Sequence, residues 1–291
     1  MTGSERVLEV LASGLLTLVQ DLGRVGYAAI GVSPSGAADR GAFRLGARLL
    51  AQPYTAAALE VTLGGLSLRA GGDVQLALTG APAPATVDGH PVGYFSPFTL
   101  GDEQVLTLGT PQAGVRSYVS VRGGVDVGPV LGSRATDTLS GLGPPPVHTG
   151  DVLSVGPPPS MFPNVDIAPT PALSGGTLVL HALRGPRDDW VADVDALTAT
   201  VWTVSSQSDR VGIRLEGKPL QRHRLRSGQE LPSEGVVRGA IQVPPSGAPV
   251  IFMADHPVTG GYPVVAVLVS DDSDRAAQSV PGQHIRIVLP E

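Results

Sequence analysis

Short apolar or alternating runs recur along the whole chain, and turn-forming residues close most of them. Runs of four to eight residues bounded by Gly, Pro, Asp or Ser read as strands, because a helix needs a longer stretch with a 3.6-residue period. In the first half these runs are Val7–Leu11, Leu15–Val19, Leu66–Leu68, Val74–Leu78, Val105–Leu108, Ser117–Val121 and Val152–Val155. In the second they are Thr177–Leu180, Thr200–Val204, Ala240–Val243, Val250–Met253, Val264–Val269 and Ile285–Leu289. Val87-Asp88-Gly89 predicts a hairpin, since Asp-Gly tolerates the positive φ of a tight turn. Helical periodicity is sparse. Ser35 is placed to cap a helix from Gly36 to Leu50, with Phe43, Ala47 and Leu50 on one side. Further helices are predicted over Arg187–Leu197 and over Ser273–Gln278, the latter stopped by Pro281-Gly282. The expected fold is mainly β with a few short helices.

The Pro-rich segment Pro157–Gly176 interrupts the strand rhythm, which predicts an N-terminal domain at 1–160, a linker at 161–175 and a C-terminal domain at 176–291. TLVQDLGRVG at 17–26 and TVSSQSDRVG at 203–212 share Thr, Arg, Val and Gly at equal spacing, which suggests a repeated unit or chance.

Composition narrows the chemistry. The 38 Gly and 27 Pro residues among 291 suit many short strands and turns. The net charge of −6 argues against a nucleic-acid face. With no cysteine, disulfides, thiolate nucleophiles and Cys-ligated zinc are excluded. The six His residues are scattered, with no metal-binding spacing, so no protein-borne metal is expected. The start, Met1–Leu11, has no signal-peptide pattern and no run is long enough to span a membrane, so the expected location is the cytoplasm. Neither a phosphate loop nor a dinucleotide fingerprint is present. Lys218 is the only lysine and lies in EGKPL, which is not a biotin-attachment context.

Four stretches place polar residues among glycines or at strand ends. In 19–39, Asp21 and Arg24 form either an ion pair in a Gly-rich connection or part of an anion site. In AALEVTLGG, at 57–65, Glu60 interrupts an apolar strand and faces either solvent or a buried partner. In 121–137, Arg134 lies either in an anion-binding loop or in a turn that satisfies carbonyls. The richest stretch, 233–267, brings Glu234, Arg238, Gln242, Asp255, His256, Thr259 and Tyr262 to strand ends, where a β scaffold presents a site. SSQSDRVGIRLEG at 205–217 adds Arg210.

TLVQDLGRVGY, GVSPSGAAD, ALEVTLGG, SYVSVRGGVDVGPVLGSRATD, SDRVGIRLEG and SEGVVRGAIQVPPSGAPVIFMADHPVTGGYP, in that order, resemble the KipA/allophanate hydrolase subunit 2 family. The resemblance implies two cyclophilin-like β-barrel domains and a heteromeric assembly. It implies the C subunit of an ATP-dependent 5-oxoprolinase, acting on a small-molecule amide with a KipI-like and a LamB/YcsF-like protein. ATP would be shared with those partners, and biotin would not be carried by this chain. Alternatives are the carboxyltransferase part of a biotin-dependent urea or amide carboxylase, and a non-enzymatic antagonist of a KipI-like kinase inhibitor. On this view Glu234, Asp255 and His256 are acid/base or orienting residues. Arg24, Arg134, Arg210, Arg238, Gln242, Thr259 and Tyr262 are expected to contact substrate or anion. Many relatives carry Lys after GGYP, where this chain has Val264.

Overall fold

The computed structural model describes residues 6–169, 173 and 175–290. The chain divides into two compact units, which it enters more than once. The first comprises 1–24, 39–137 and 141–173; the second comprises 25–38, 138–140 and 174–291. Two short stretches of the N-terminal half, 25–38 and 138–140, therefore fold with the C-terminal half.

The first unit is built from two antiparallel sheets. One runs in the order Val152–Ser154, Val7–Ser13, Leu66–Gly71, Val105–Leu108, Ala85–Val87, His90–Pro91. The other runs Leu16–Gln20, Ala58–Thr62, Arg116–Val121, Val74–Gly80, Pro97–Leu100. Leu8, Val10, Leu66 and Leu68 of the first sheet and Leu59, Val61, Leu76 and Val119 of the second share one core. The hairpin forms as the Asp-Gly pair predicts: Val87 pairs with His90, and Asp88 and Gly89 have φ of 49° and 80°.

Strand-forming runs map onto observed strands throughout, while the first two expected helices are shorter than periodicity suggests. The first helix is Arg40–Leu49, and its cap is Asp39, whose carboxylate accepts from the Ala42 N–H at 2.8 Å. Ser35 does not cap it. Its backbone is left-handed (φ 52°) and its hydroxyl is bonded elsewhere. The expected 187–197 helix is a short 3-10 turn, Asp188–Trp190, followed by Asp195–Ala199. The last helix starts earlier than expected, at Ser270–Ala276. No helix among the described residues is long and apolar enough to cross a membrane.

Glu60 shows why a carboxylate is tolerated inside an apolar strand. It is buried, not solvent-facing. The Tyr118 hydroxyl donates to its Oε2 at 2.7 Å, and Arg116 Nε lies 3.5 Å from its Oε1. The same hydroxyl accepts from the Asp39 N–H at 2.8 Å, so it ties the start of the helix to the sheet. Burial, with the Glu60 and Asp39 carboxylates close by, pushes the Tyr118 phenol well above its ordinary pKa. Tyr118→Phe would remove the hydroxyl's bonds to a buried carboxylate oxygen and a backbone N–H. A loss of about 1–3 kcal/mol in urea unfolding is expected. An unchanged unfolding midpoint would show that this bond contributes nothing.

Of the expected linker at 161–175, residues 170–172 and 174 lie outside the described residues. Residues 161–169 group with the first unit. Arg122 Nη2 reaches the Pro159 and Met161 carbonyls at 2.9 and 2.6 Å, and its guanidinium lies over the Phe162 ring.

In the second unit seven strands close into a barrel, in the order Leu178–Arg184, Val264–Leu268, Ala240–Gln242, Val250–Phe252, Gly212–Glu216, Val201–Val204, His284–Val288. The ring closes through a parallel pairing of Leu178–His181 with Ile285–Val288. Closure removes the unpaired edges that an open sheet would expose. Trp202, Leu180, Ile213, Ile241, Ile251 and Val265 fill the interior.

Candidate functional site

The barrel unit gathers its most deeply buried charges around one carboxylate. Asp255 is fully buried at the turn after Val250–Phe252. Arg210 donates to both of its oxygens, Nη2 to Oδ1 and Nε to Oδ2, each at 2.9 Å. This parallel two-bond geometry is specific to guanidinium. Ser35 Oγ donates to Oδ1 at 2.6 Å, and the Thr138 N–H and hydroxyl donate to Oδ2 at 2.9 and 2.7 Å. Arg210 also donates to the Gly36 carbonyl at 2.7 Å. One carboxylate therefore pins three stretches of chain: 25–38, 138–140 and the 205–212 turn. Burial by itself would raise the Asp255 pKa, but the Arg210 charge and the donated hydrogen bonds outweigh it and hold the carboxyl below its ordinary value.

His256 follows directly and is almost as buried. Its ring stacks on Phe252 with centroids 6.0 Å apart. Nδ1 lies 2.7 Å from the Pro257 carbonyl oxygen. A carbonyl only accepts, so Nδ1 carries a proton in this bond.

The other predicted residues of this unit are arranged around the same strands. Arg238 donates to the Ala38 carbonyl at 2.6 Å and to Asp274 at 2.7 Å. Glu234 opens a two-residue ladder in which it pairs with Gly260, and Gly235 pairs with Thr259. Arg187 grips the Glu234 carboxylate through Nε, at 3.1 and 3.0 Å, and through Nη2. These bonds hold Glu234 below its ordinary pKa and raise that of Arg187. Gln242 is buried, and its Nε2 donates to the Tyr262 carbonyl at 2.9 Å. The barrel register shifts between Ile241, opposite Ala266, and Gln242, opposite Val264. Such bulges re-aim side chains. Val264 itself packs with Val236, Ala240 and Phe252 in an apolar cluster.

Arg24 and Arg134 belong to the first unit. Arg24 is buried; its Nε donates to the Val130 carbonyl at 3.4 Å and its Nη2 to the Ala135 carbonyl. The expected Asp21–Arg24 pair does not form. Asp21 instead accepts from Gly23 N–H at 2.7 Å, Ser133 Oγ at 2.6 Å and the Arg134 N–H at 2.7 Å. The Arg134 side chain lines a small cleft of about 220 Å³ opposite Asp126, 4.0 Å away. The repeated ten-residue pattern has a structural counterpart. Arg24 and Arg210 each follow a strand, Leu16–Gln20 or Val201–Val204, and each is buried. Only Arg210 meets a carboxylate.

Sequence reasoning missed the roles of Ser35, Thr138 and Arg187. Nothing local marks them, since each is defined by a partner far away in the chain.

The Carboxyltransferase domain, subdomain A and B, family model matches residues 30–289. The chain belongs to this carboxyltransferase-domain family. It is 38% identical to the C subunit of 5-oxoprolinase from Escherichia coli, over 97% of this chain and 91% of that protein. It is 32% identical to the corresponding 5-oxoprolinase C subunit of Haemophilus influenzae, over 96% of this chain and 90% of that protein. Among solved structures, the Kluyveromyces lactis urea amidolyase matches with a TM-score of 0.92 and 30% identity, over 98% of this chain. This family member spans only 19% of that much longer chain.

Proposed function

We propose that this chain is the C subunit of an ATP-dependent 5-oxoprolinase, which opens 5-oxoproline to glutamate, and that it works in the cytoplasm with a KipI-like and a LamB/YcsF-like protein. The observation that carries this reading is the near full-length similarity to the 5-oxoprolinase C subunit of E. coli, on both chains.

The barrel geometry supports a division of labour among the three acid/base candidates. Asp255 and Glu234 are each held by an arginine, which lowers their affinity for a proton. Asp255 is therefore a positioning residue that fixes the loop carrying His256. Glu234 orients the short ladder that bears Thr259. His256 is left as the candidate proton acceptor, either from an attacking water or from the lactam nitrogen as the ring is activated. Arg238, held between the Ala38 carbonyl and Asp274, positions the 25–38 stretch. Arg24 and Arg134, from the other unit, remain candidate anion contacts.

The nucleotide does not fit this chain's described clefts by charge. Three clefts among the described residues each combine one arginine with one aspartate: Arg48 with Asp39, Arg134 with Asp126, Arg214 with Asp209. A triphosphate needs a surplus of cations or backbone N–H donors. The ATP is therefore assigned mainly to the partner proteins.

The test is reconstitution of the three proteins. ATP hydrolysis that depends on 5-oxoproline, yields glutamate and disappears when this chain is omitted is expected. Full activity without the chain would end the proposal. The urea amidolyase likeness favours a second reading, carboxyl transfer to an amide from biotin carried by another protein. It predicts a carboxylated amide and no glutamate in the same assay.

A further inference from the structure

The barrel carries a cleft of about 470 Å³ that none of the roles above uses. Arg214, Gln242, Phe252 and Tyr262 are among its lining residues. Three features distinguish it from a surface depression. First, the bulge between Ile241 and Gln242 turns a buried amide toward it. The Gln242 Nε2 is occupied by the Tyr262 carbonyl, whereas Oε1 has no partner among the described residues and is not sealed from solvent. An otherwise buried side chain thus presents an acceptor to the cleft. Second, Gly260 backs this amide so closely that a Cβ there would lie 2.5 Å from Nε2. The glutamine is held from behind as well as by its own bond. Third, Arg214 is exposed and its guanidinium has no partner among the described residues. The arginines of the Asp255 and Glu234 sites, by contrast, are both fully engaged in ion pairs.

An unengaged guanidinium, a fixed amide acceptor and two aromatic rings form a complementary set. A guanidinium takes a carboxylate through two parallel bonds. An amide oxygen accepts from an N–H donor. Phe252 and Tyr262 supply apolar faces for a small flat ring. We propose that this cleft binds a compact amide that also bears a carboxylate, with Arg214 holding the carboxylate and Gln242 Oε1 accepting from the amide N–H. The proposal rests on the 5-oxoprolinase reading, and names the residues that recognise its substrate.

The test uses the full chain and two probes, L-5-oxoproline and 2-pyrrolidinone, which keeps the ring amide but lacks the carboxylate. Binding is followed by saturation-transfer NMR and calorimetric titration. The wild-type chain should bind 5-oxoproline more tightly than 2-pyrrolidinone. Arg214→Gln, at an exposed position where folding is not at stake, should weaken 5-oxoproline by about tenfold or more and leave 2-pyrrolidinone unchanged. Gln242→Met keeps roughly the size of the side chain, removes the amide acceptor and should weaken both probes. No binding of either probe to the wild-type chain at tens of millimolar, or an Arg214→Gln chain that binds 5-oxoproline as the wild type does, overturns the assignment. The two proposals fail separately. A reconstituted mixture that makes glutamate with an unchanged KM in Arg214→Gln would discard the cleft and keep the activity. A chain that binds 5-oxoproline through Arg214 in a mixture that makes no glutamate would do the reverse.

Discussion

Asp255→Ala is expected to cost the barrel unit about 3–5 kcal/mol, the usual penalty for removing one partner of a buried, hydrogen-bonded ion pair. The size follows from what would be left behind. Arg210 is 3% exposed, so its charge would remain in the interior without the Asp255 carboxylate. Ser35 would keep a left-handed backbone, costly for a residue with a Cβ, without the bond that holds it there. Thr138 would lose partners for both its N–H and its hydroxyl. Urea unfolding followed through Trp202, in the barrel interior, measures the loss. The double change Asp255→Leu with Arg210→Met should recover part of it, because the stranded charge goes too. A single mutant within about 1 kcal/mol of wild type would show that no costly buried charge is left behind and would contradict this reading of the pair.

The same pair sets a pH dependence whose sign is determined. The folded-state pKa of Asp255 is depressed, so its contribution is fully present above the unfolded value of about 3.9. It is lost as pH falls from there through the lower folded value. Acid unfolding of the wild type should therefore steepen below about pH 4, and the double mutant should lack that component. Parallel acid profiles for the two proteins would contradict the assignment.

The second large effect concerns turnover. His256→Gln should lower kcat of the reconstituted assembly by about 10²–10⁴, the range typical of a lost general base. Glutamine suits this test because its amide can still donate to the Pro257 carbonyl and fill much of the ring's place beside Phe252. KM for 5-oxoproline should change little, since the cleft at Arg214 is untouched. A kcat within about threefold of wild type would remove His256 from proton transfer and leave it a packing residue against Phe252.

Much of the fold is legible locally. Strand runs, the Asp-Gly hairpin and the mainly β class all rest on interactions between residues a few positions apart. The helix caps show the limit of such reading. Ser35 and Asp39 are both good cap residues, and only Asp39 has a backbone that lets its carboxylate reach the first turn. Glu60 shows the same limit in a strand. Alternation cannot decide between solvent and a buried partner when that partner, Tyr118, lies 58 residues away.

The candidate site divides along the same line. By itself, the sequence singled out the polar residues expected to carry the chemistry. Buried or Gly-flanked Asp, His, Gln and Arg stand out from an apolar strand background because desolvating them is costly unless something compensates. Only the tertiary structure decided what compensates. It matched Asp255 with Arg210, Ser35 and Thr138 across 45, 220 and 117 residues, and left Arg214 unmatched at a cleft. The chain's arginines are chemically alike. Which one is neutralised and which one faces a ligand depends on distances that exist only after the barrel closes.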